Sequence, residues 1–163
     1  MNNQIKLIVP LLFLMACQQT KRGSPEEVNS NDNTRFQYLK HTAYTLFDKD
    51  DYSNAIKYFD TLIQLAPRNG AFYYRRGFSY NMVYQRSKVK EAINDYLKAI
   101  ELGYKRSDAY YCIGLSYAYS NDSMAVMYFE KSLEIDPNKT KVIPILENCR
   151  KVLAQKHQTS AGH

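Results

Sequence analysis

From about residue 35 onward, apolar residues recur at three- and four-residue intervals and no long run alternates, so the pattern predicts helices and no sheet. Between Asp108 and Pro137, Tyr110, Ile113, Gly114 and Tyr117 mark one short amphipathic helix, and Ala125, Phe129, Ser132 and Leu133 mark a second. Ser120, Asn121 and Asp122 join them. Each helix has one face to bury, and a pair covers itself only in part, so several pairs are expected to stack around a shared core. Two similar pairs precede this one. Leu39, Ala43 and Leu46 with Ala55, Ile56, Phe59 and Leu62 form the first; Tyr73, Gly77 and Tyr80 with Ala92, Tyr96 and Ala99 form the second. After Pro137, Val142, Ile145, Leu146, Cys149 and Leu153 share one face of a further helix. Thr140 is its expected cap, and Pro144 falls in the first turn, where amide donors have no helical partner to lose.

The copies are related by fixed intervals. Gly77 to Gly114, Ala55 to Ala92 and Phe59 to Tyr96 are each 37 residues, whereas Ala92 to Ala125 and Tyr96 to Phe129 are 33. Both irregularities fall in helix-to-helix turns: extra residues around Tyr84 to Val89, and one residue fewer between Tyr117 and Ala125. This resembles the tetratricopeptide repeat, a helix-turn-helix of about 34 residues with the pattern W-x2-L-G-x2-Y, then A-x3-F, then P. The resemblance implies an all-α fold, a right-handed superhelical stack of about three units plus a C-terminal capping helix. The expected domain is 35–156, with repeats at about 35–68, 70–104 and 107–138, a cap helix at 140–155 and a frayed tail at 157–163. Tyr104 stands where the pattern has proline, and Gly103 is expected to end that helix in a left-handed conformation.

The amino-terminal segment follows a different pattern. Lys6 precedes an apolar run from Leu7 to Met15, too short to span a bilayer comfortably, and Ala16 and Cys17 follow. It resembles a bacterial lipoprotein signal with the lipobox Leu14-Met15-Ala16-Cys17. That resemblance implies removal of residues 1–16, lipidation of Cys17, and a membrane-anchored protein of the bacterial cell envelope, with the outer membrane as the expected address; a plain secretory signal or uncleaved anchor is the alternative. Residues 17–34 are read as the lipidated Cys and a disordered tether, because Gln18 to Thr34 has no apolar face. Such a tether reaches about 20–25 Å.

Composition changes this picture little. The formal charge of +6 comes from dispersed Lys and Arg without a block of five, which gives no ground for a nucleic-acid partner. Fifteen Tyr and no Trp place large amphipathic rings at many helix contacts. Catalytic signals fail one by one. Gly77-Phe78-Ser79 and Gly114-Leu115-Ser116 look like nucleophile elbows, but they sit at the same place in two units, so helix packing covers both. Tyr84 and Lys88 have the Tyr-x-x-x-Lys spacing of short-chain dehydrogenases without the glycine-rich turn such enzymes need. A calcium loop from Asp48 would need Gly where Ser53 stands and Glu where Phe59 stands, so the acidic turn is read as a helix cap. His41, His157 and His163 do not cluster, and no His or Cys pair has zinc spacing; no metal, cofactor or catalytic residue is assigned. Cys112 and Cys149 are either a disulfide of an oxidising envelope or ordinary buried thiols.

What remains is a surface. The repeat resemblance implies that the first helices line a concave groove, at Gln37, Lys40, Tyr44, Phe47, Ala71, Tyr74, Phe78, Asn81, Asp108, Tyr111, Leu115 and Ala118. Of the family's carboxylate clamp only Lys40 matches; Tyr44, Phe78, Tyr111 and Leu115 replace the rest, so the clamp is not carried over. An aromatic groove suits a peptide segment with apolar or proline-bearing side chains. The alternative is that these rings pack on one another or on the cap helix. Arg86, Lys88 and Lys90 crowd the extended turn, as a solvated turn or as a patch for lipid headgroups or an acidic partner. The function expected is a non-catalytic adaptor or assembly factor that binds a protein or peptide segment. A regulatory subunit or a self-associating structural lipoprotein is the alternative, with an enzyme behind both; the partner and oligomeric state stay open.

Overall fold

A computed structural model of the chain describes residues 30–118 and 120–160. The lipobox, Cys17 and the tether as far as residue 29 lie outside these, as do Tyr119 and the last three residues. Among the described residues there are seven α-helices and no strand: α1 (Ser30–Asp48), α2 (Tyr52–Leu65), α3 (Gly70–Tyr84), α4 (Val89–Glu101), α5 (Arg106–Tyr117), α6 (Asp122–Ile135) and α7 (Ile143–Ser160). Short 3-10 turns at Gln85–Lys88 and Thr140–Val142 precede α4 and α7. Each helix packs against the next, and α3 also touches α5, so three helix pairs and a final helix stack into a superhelix.

The turns carry the chemistry that ends helices. Asp51 caps α2 by accepting from the Asn54 amide at 3.3 Å, Asn69 caps α3 from Ala71 at 3.1 Å, and Asn121 caps α6 from Met124 at 3.0 Å. Gly103 adopts φ +74°, and the Tyr104 amide then reaches back to the Ala99 carbonyl at 2.8 Å, closing α4 as glycine was expected to do. Three boundaries differ from expectation. α1 starts at Ser30, inside the segment read as tether; Thr140 opens the 3-10 turn instead of capping the last helix; and α7 continues to Ser160, past the expected end at Gln155.

The pairs share cores across their junctions. Ala43, Ala55, Phe59 and Leu62 of the first pair close on Phe72 of the second. Ala92, Ile93 and Tyr96 close on Ala109, Cys112 and Ile113 of the third. Ala125 and Phe129 close on Val142, Leu146 and Cys149 at the cap. Phe72 is fully buried while Tyr73 is only half-buried, its hydroxyl donating to the Pro67 carbonyl at 3.1 Å; Tyr110 and Tyr117 are half-buried too. The expectation of one buried face per helix is therefore corrected. α3 lies between α2 and α4, so it buries two faces, and Phe72 fills the one turned to Phe59, 6.4 Å away between ring centres. Cys112 and Cys149 are both free and buried, in different core clusters.

Two close approaches set the helix spacing. A Cβ at Gly114 would lie 2.6 Å from the Phe129 ring, and one at Gly77 would lie 3.0 Å from the Ala92 carbonyl. Ser107 and Ser132 add a buried reciprocal pair, each hydroxyl donating to the other's carbonyl at 3.0 and 2.8 Å, which ties the start of α5 to the end of α6. Gly114→Leu is expected to destabilise the fold by more than about 1 kcal/mol in chemical denaturation through overpacking. Adding Phe129→Ala should recover part of that loss, because the two residues occupy one space.

Candidate functional site

Of the expected groove residues, α1, α3 and α5 bring Phe47, Phe78, Asn81 and Leu115 together. On the α1 side, Phe47 packs on Phe78 at 5.5 Å between ring centres, and Tyr52 joins Phe78 at 5.7 Å. Tyr44 lies against Phe59 at 6.1 Å and carries the Arg75 guanidinium over its ring at 4.3 Å; burial raises its pKa. Tyr74 is held more deeply than a free groove side chain. Its ring contacts Tyr96 and Tyr104 at 5.6 and 5.7 Å, its hydroxyl meets the Cys112 thiol at 3.8 Å, and burial pushes its pKa up. Tyr111 packs on Phe129 at 6.0 Å. Much of the aromatic lining thus packs on itself, the alternative left open by the sequence. Gln37 is exposed and its side-chain amide donates to Asn33 at 3.5 Å; Lys40 is half-buried; and Ala71 is buried in the core instead of lining the groove.

Where α3, α5 and the extended turn meet, the packing leaves a cavity of about 590 Å3. Phe78, Met82, Val89 and Leu115 give apolar walls, Gln85, Arg86 and Ser120 also line it, and Asn81, Tyr96, Cys112 and Ser116 contribute polar atoms. The Asn81 amide donates to the Ser116 hydroxyl at 3.0 Å and to the Tyr96 hydroxyl at 3.3 Å, which fixes its orientation across α3, α4 and α5. Burial raises the Cys112 thiol pKa, so it is a packing group and not a poised nucleophile. Ser79 and Ser116, from the two Gly-x-Ser sequences, donate to the carbonyls of Arg75 and Cys112 at 2.8 and 2.9 Å, four residues back in their own helices. Among the described residues no group of three His, Cys, Asp or Glu could hold a metal ion, and no helix is long and apolar enough to cross a membrane.

Sequence reasoning found Phe78, Asn81 and Leu115 of this cavity and missed Met82, Val89, Tyr96, Cys112 and Ser116. The sequence shows the long Gly77-to-Ala92 interval and its extended turn, but not that the inserted residues form one wall of a cavity. It also missed an ion triad behind the groove. Arg76 on α3 grips Asp95 on α4 through two bonds of 2.6 and 2.8 Å and reaches Asp60 on α2 at 2.7 Å. Burial works against the guanidinium charge, and the bonds to Asp95 and Asp60 outweigh it and raise its pKa.

At the far end, Asp108 accepts from Lys139 at 2.7 Å. Burial works to raise the carboxyl pKa, but the Lys139 hydrogen bond and the charges of Lys139, Lys105 and Lys141 outweigh it and hold the value below 3.8. A carboxylate depressed in the folded state adds stability above its unfolded pKa, and that stability is lost as pH falls through the folded value.

The geometry defines a helical repeat array whose first helices form a lined surface. The particular fold is that of tetratricopeptide repeats, and residues 42–69 match the tetratricopeptide repeat family model. Mouse (Mus musculus) serine/threonine-protein phosphatase 5 is 30% identical over 143 residues, a match that covers 86% of this chain and 27% of that enzyme. The chain thus spans about a quarter of the length of the curated relatives it matches. The first repeat domain of Spaghetti (RPAP3), solved bound to the HSP90 peptide SRMEEVD, is 25% identical with a TM-score of 0.63, covering 76% of this chain and 96% of that one. The Yersinia enterocolitica type III secretion chaperone SycD, solved with a peptide of the translocator YopD, has a TM-score of 0.65 at 18% identity, covering 75% and 97%. The thermal midpoint should fall as pH drops below about 4, and less steeply in Asp108→Asn, in melts followed by circular dichroism.

Proposed function

We propose that this chain is a non-catalytic adaptor that holds a segment of a partner protein along α1, α3 and α5, with one bulky apolar side chain of that segment in the cavity between Phe78 and Leu115. The observation that carries the reading is that cavity. It opens between first helices of adjacent units and has apolar walls, and Asn81 is oriented across it by Tyr96 and Ser116. The peptide-bound states of the Spaghetti domain and of SycD support a peptide as the occupant. No nucleophile, base and acid converge at the cavity among the described residues, so binding and not turnover is the activity assigned.

The anchor belongs to the same proposal and rests on sequence. Leu14-Met15-Ala16-Cys17 closes a short apolar run, and lipid on Cys17 keeps the repeat domain beside a membrane of the bacterial envelope. The adaptor then works on partners at that surface.

Two experiments test these parts separately. A photo-crosslinking side chain at Met82, which lines the cavity and is 52% exposed, should trap a partner protein in membrane extracts, and one at Leu65, equally exposed on α2, should not. Equal adducts from both positions, or none from Met82, would remove the groove as the binding surface. Cys17→Ser should abolish metabolic labelling with an acyl probe and release the protein from membranes; label retained by the variant would show the anchor to be wrong.

A further inference from the structure

The cavity beside the extended turn has more room than one apolar side chain fills. At about 590 Å3 it lies within the span of about 300–1,000 Å3 usual for small-molecule sites. Its walls are set before anything enters. Phe78 is fixed by Phe47 and Tyr52, with ring centres 5.5 and 5.7 Å away, while Leu115 stands on α5 and Val89 opens α4. Met82 also lines the cavity and is exposed, so the space is reached from solvent there. The inner end, where Tyr96 and Cys112 are buried, is polar, and its hydrogen bonds run in one direction. The Ser116 hydroxyl donates to the Cys112 carbonyl at 2.9 Å, so towards Asn81 its oxygen can only accept. That sets the Asn81 amide nitrogen against Ser116 at 3.0 Å and Tyr96 at 3.3 Å, with both of its protons committed. The Asn81 Oδ1 accepts no hydrogen bond among the described residues, and no side-chain oxygen or nitrogen of theirs is both buried and unpaired. This oxygen is therefore an open acceptor on a residue that lines the cavity, held in direction by α3, α4 and α5.

We infer that the cavity binds a small, neutral aromatic molecule with one N–H or O–H donor, the class of indoles and phenols. The donor sits on Asn81 Oδ1 and the ring lies between Phe78 and Leu115. The inference uses the cavity of the proposed function and gives it a free ligand as a second kind of occupant. Each property of that ligand is selected by a different part of the site. Phe78 favours an aromatic face or edge, and Leu115, Val89 and Met82 favour apolar surface over charge. Among the described residues no carboxylate lines the cavity, so a cation finds no counter-ion there, and an anion that reached Asn81 would meet a carbonyl oxygen. An acyl chain would cover that oxygen and leave it without a bond, whereas a single donor satisfies it.

The test is methyl NMR of the full chain in detergent, titrated with indole and separately with 1-methylindole, the free ligand being fixed by dialysis against the same micelles. Indole should bind with a Kd of about 1 mM or below and shift the methyl signals of Met82, Val89 and Leu115. 1-Methylindole keeps the ring and loses the donor, and it should bind at least about tenfold more weakly. The cavity has room for the added methyl, so size does not account for that loss. Asn81→Ala, checked for folding by circular dichroism, should bind the two ligands equally; where that variant does not fold, the comparison of ligands on the parent chain decides alone. No binding of either ligand, equal binding by the parent chain, methyl shifts confined to residues outside the cavity, or a preference for indole that survives in folded Asn81→Ala would overturn the inference. Failure of indole while crosslinking from Met82 succeeds would remove the ligand site and leave the adaptor reading standing. Indole bound with the donor preference while the crosslink fails would support the site and remove the adaptor reading.

Discussion

The close approach of a small residue on each first helix to a ring or backbone on its partner governs the structure. Gly114 lies under the Phe129 ring and Gly77 against the Ala92 carbonyl, while Ala43 shares a fully buried cluster with Phe59. With the helices held so near, the side chains on either side of the contact interdigitate, and the remaining faces are left to meet the next pair. The residues that make the junctions between pairs, Phe72 and Ala109, are buried because of that spacing. The groove follows from it as well, since α1, α3 and α5 come close enough for rings and cations of adjacent units to touch.

One position on the second helices shows how the same backbone carries different chemistry. Asp95 and Tyr128 each lie three residues after the small residue of their helix, Ala92 and Ala125. Tyr128 stacks between Tyr110 and Tyr117, with ring centres 6.1 and 5.7 Å away. In the preceding unit the matching rings are Tyr73 and Tyr80, and the space between them holds the Arg76 guanidinium, anchored by Asp95. A ring filling one slot and a charged pair filling its counterpart both satisfy the packing. The charged version also ties in α2 through Asp60, which a stacked ring cannot do.

The fold was legible in the sequence because its determinants are local: helical periodicity, cap residues such as Asp51 and Asn121, Gly103 where a positive φ was needed, and intervals that repeat. Ala55, Phe59, Ala92, Tyr96, Ala125 and Phe129 could be placed from spacing alone, and all are fully buried. The groove was less legible because a helix between two neighbours has two buried faces, and periodicity does not say which stripe meets which neighbour. Tyr73 was therefore taken for core in place of Phe72, and Tyr74 was assigned to the groove although its hydroxyl reaches Cys112. Arg75 and Lys141 lie over rings of other units, Tyr44 and Tyr111, and Arg76 pairs with Asp95 on the next helix and with Asp60 in the unit before; nothing in a linear pattern makes these pairs.

The turn at Gln85–Lys88 adds length between α3 and α4. From Gly77 to Ala92 the chain runs 15 residues, against 12 from Ala43 to Ala55 and 11 from Gly114 to Ala125, yet the small residues of all three pairs are buried alike. Lengthening a surface turn costs only logarithmically in closure entropy, so the stack is indifferent to the insertion. The cavity is not, since Gln85, Arg86 and Val89 form its wall. On the adaptor reading proposed above, the size and shape of what is held would rest on a segment whose length can drift without penalty to the fold, which would give such an array a way to change its occupant while every helix stays where it was.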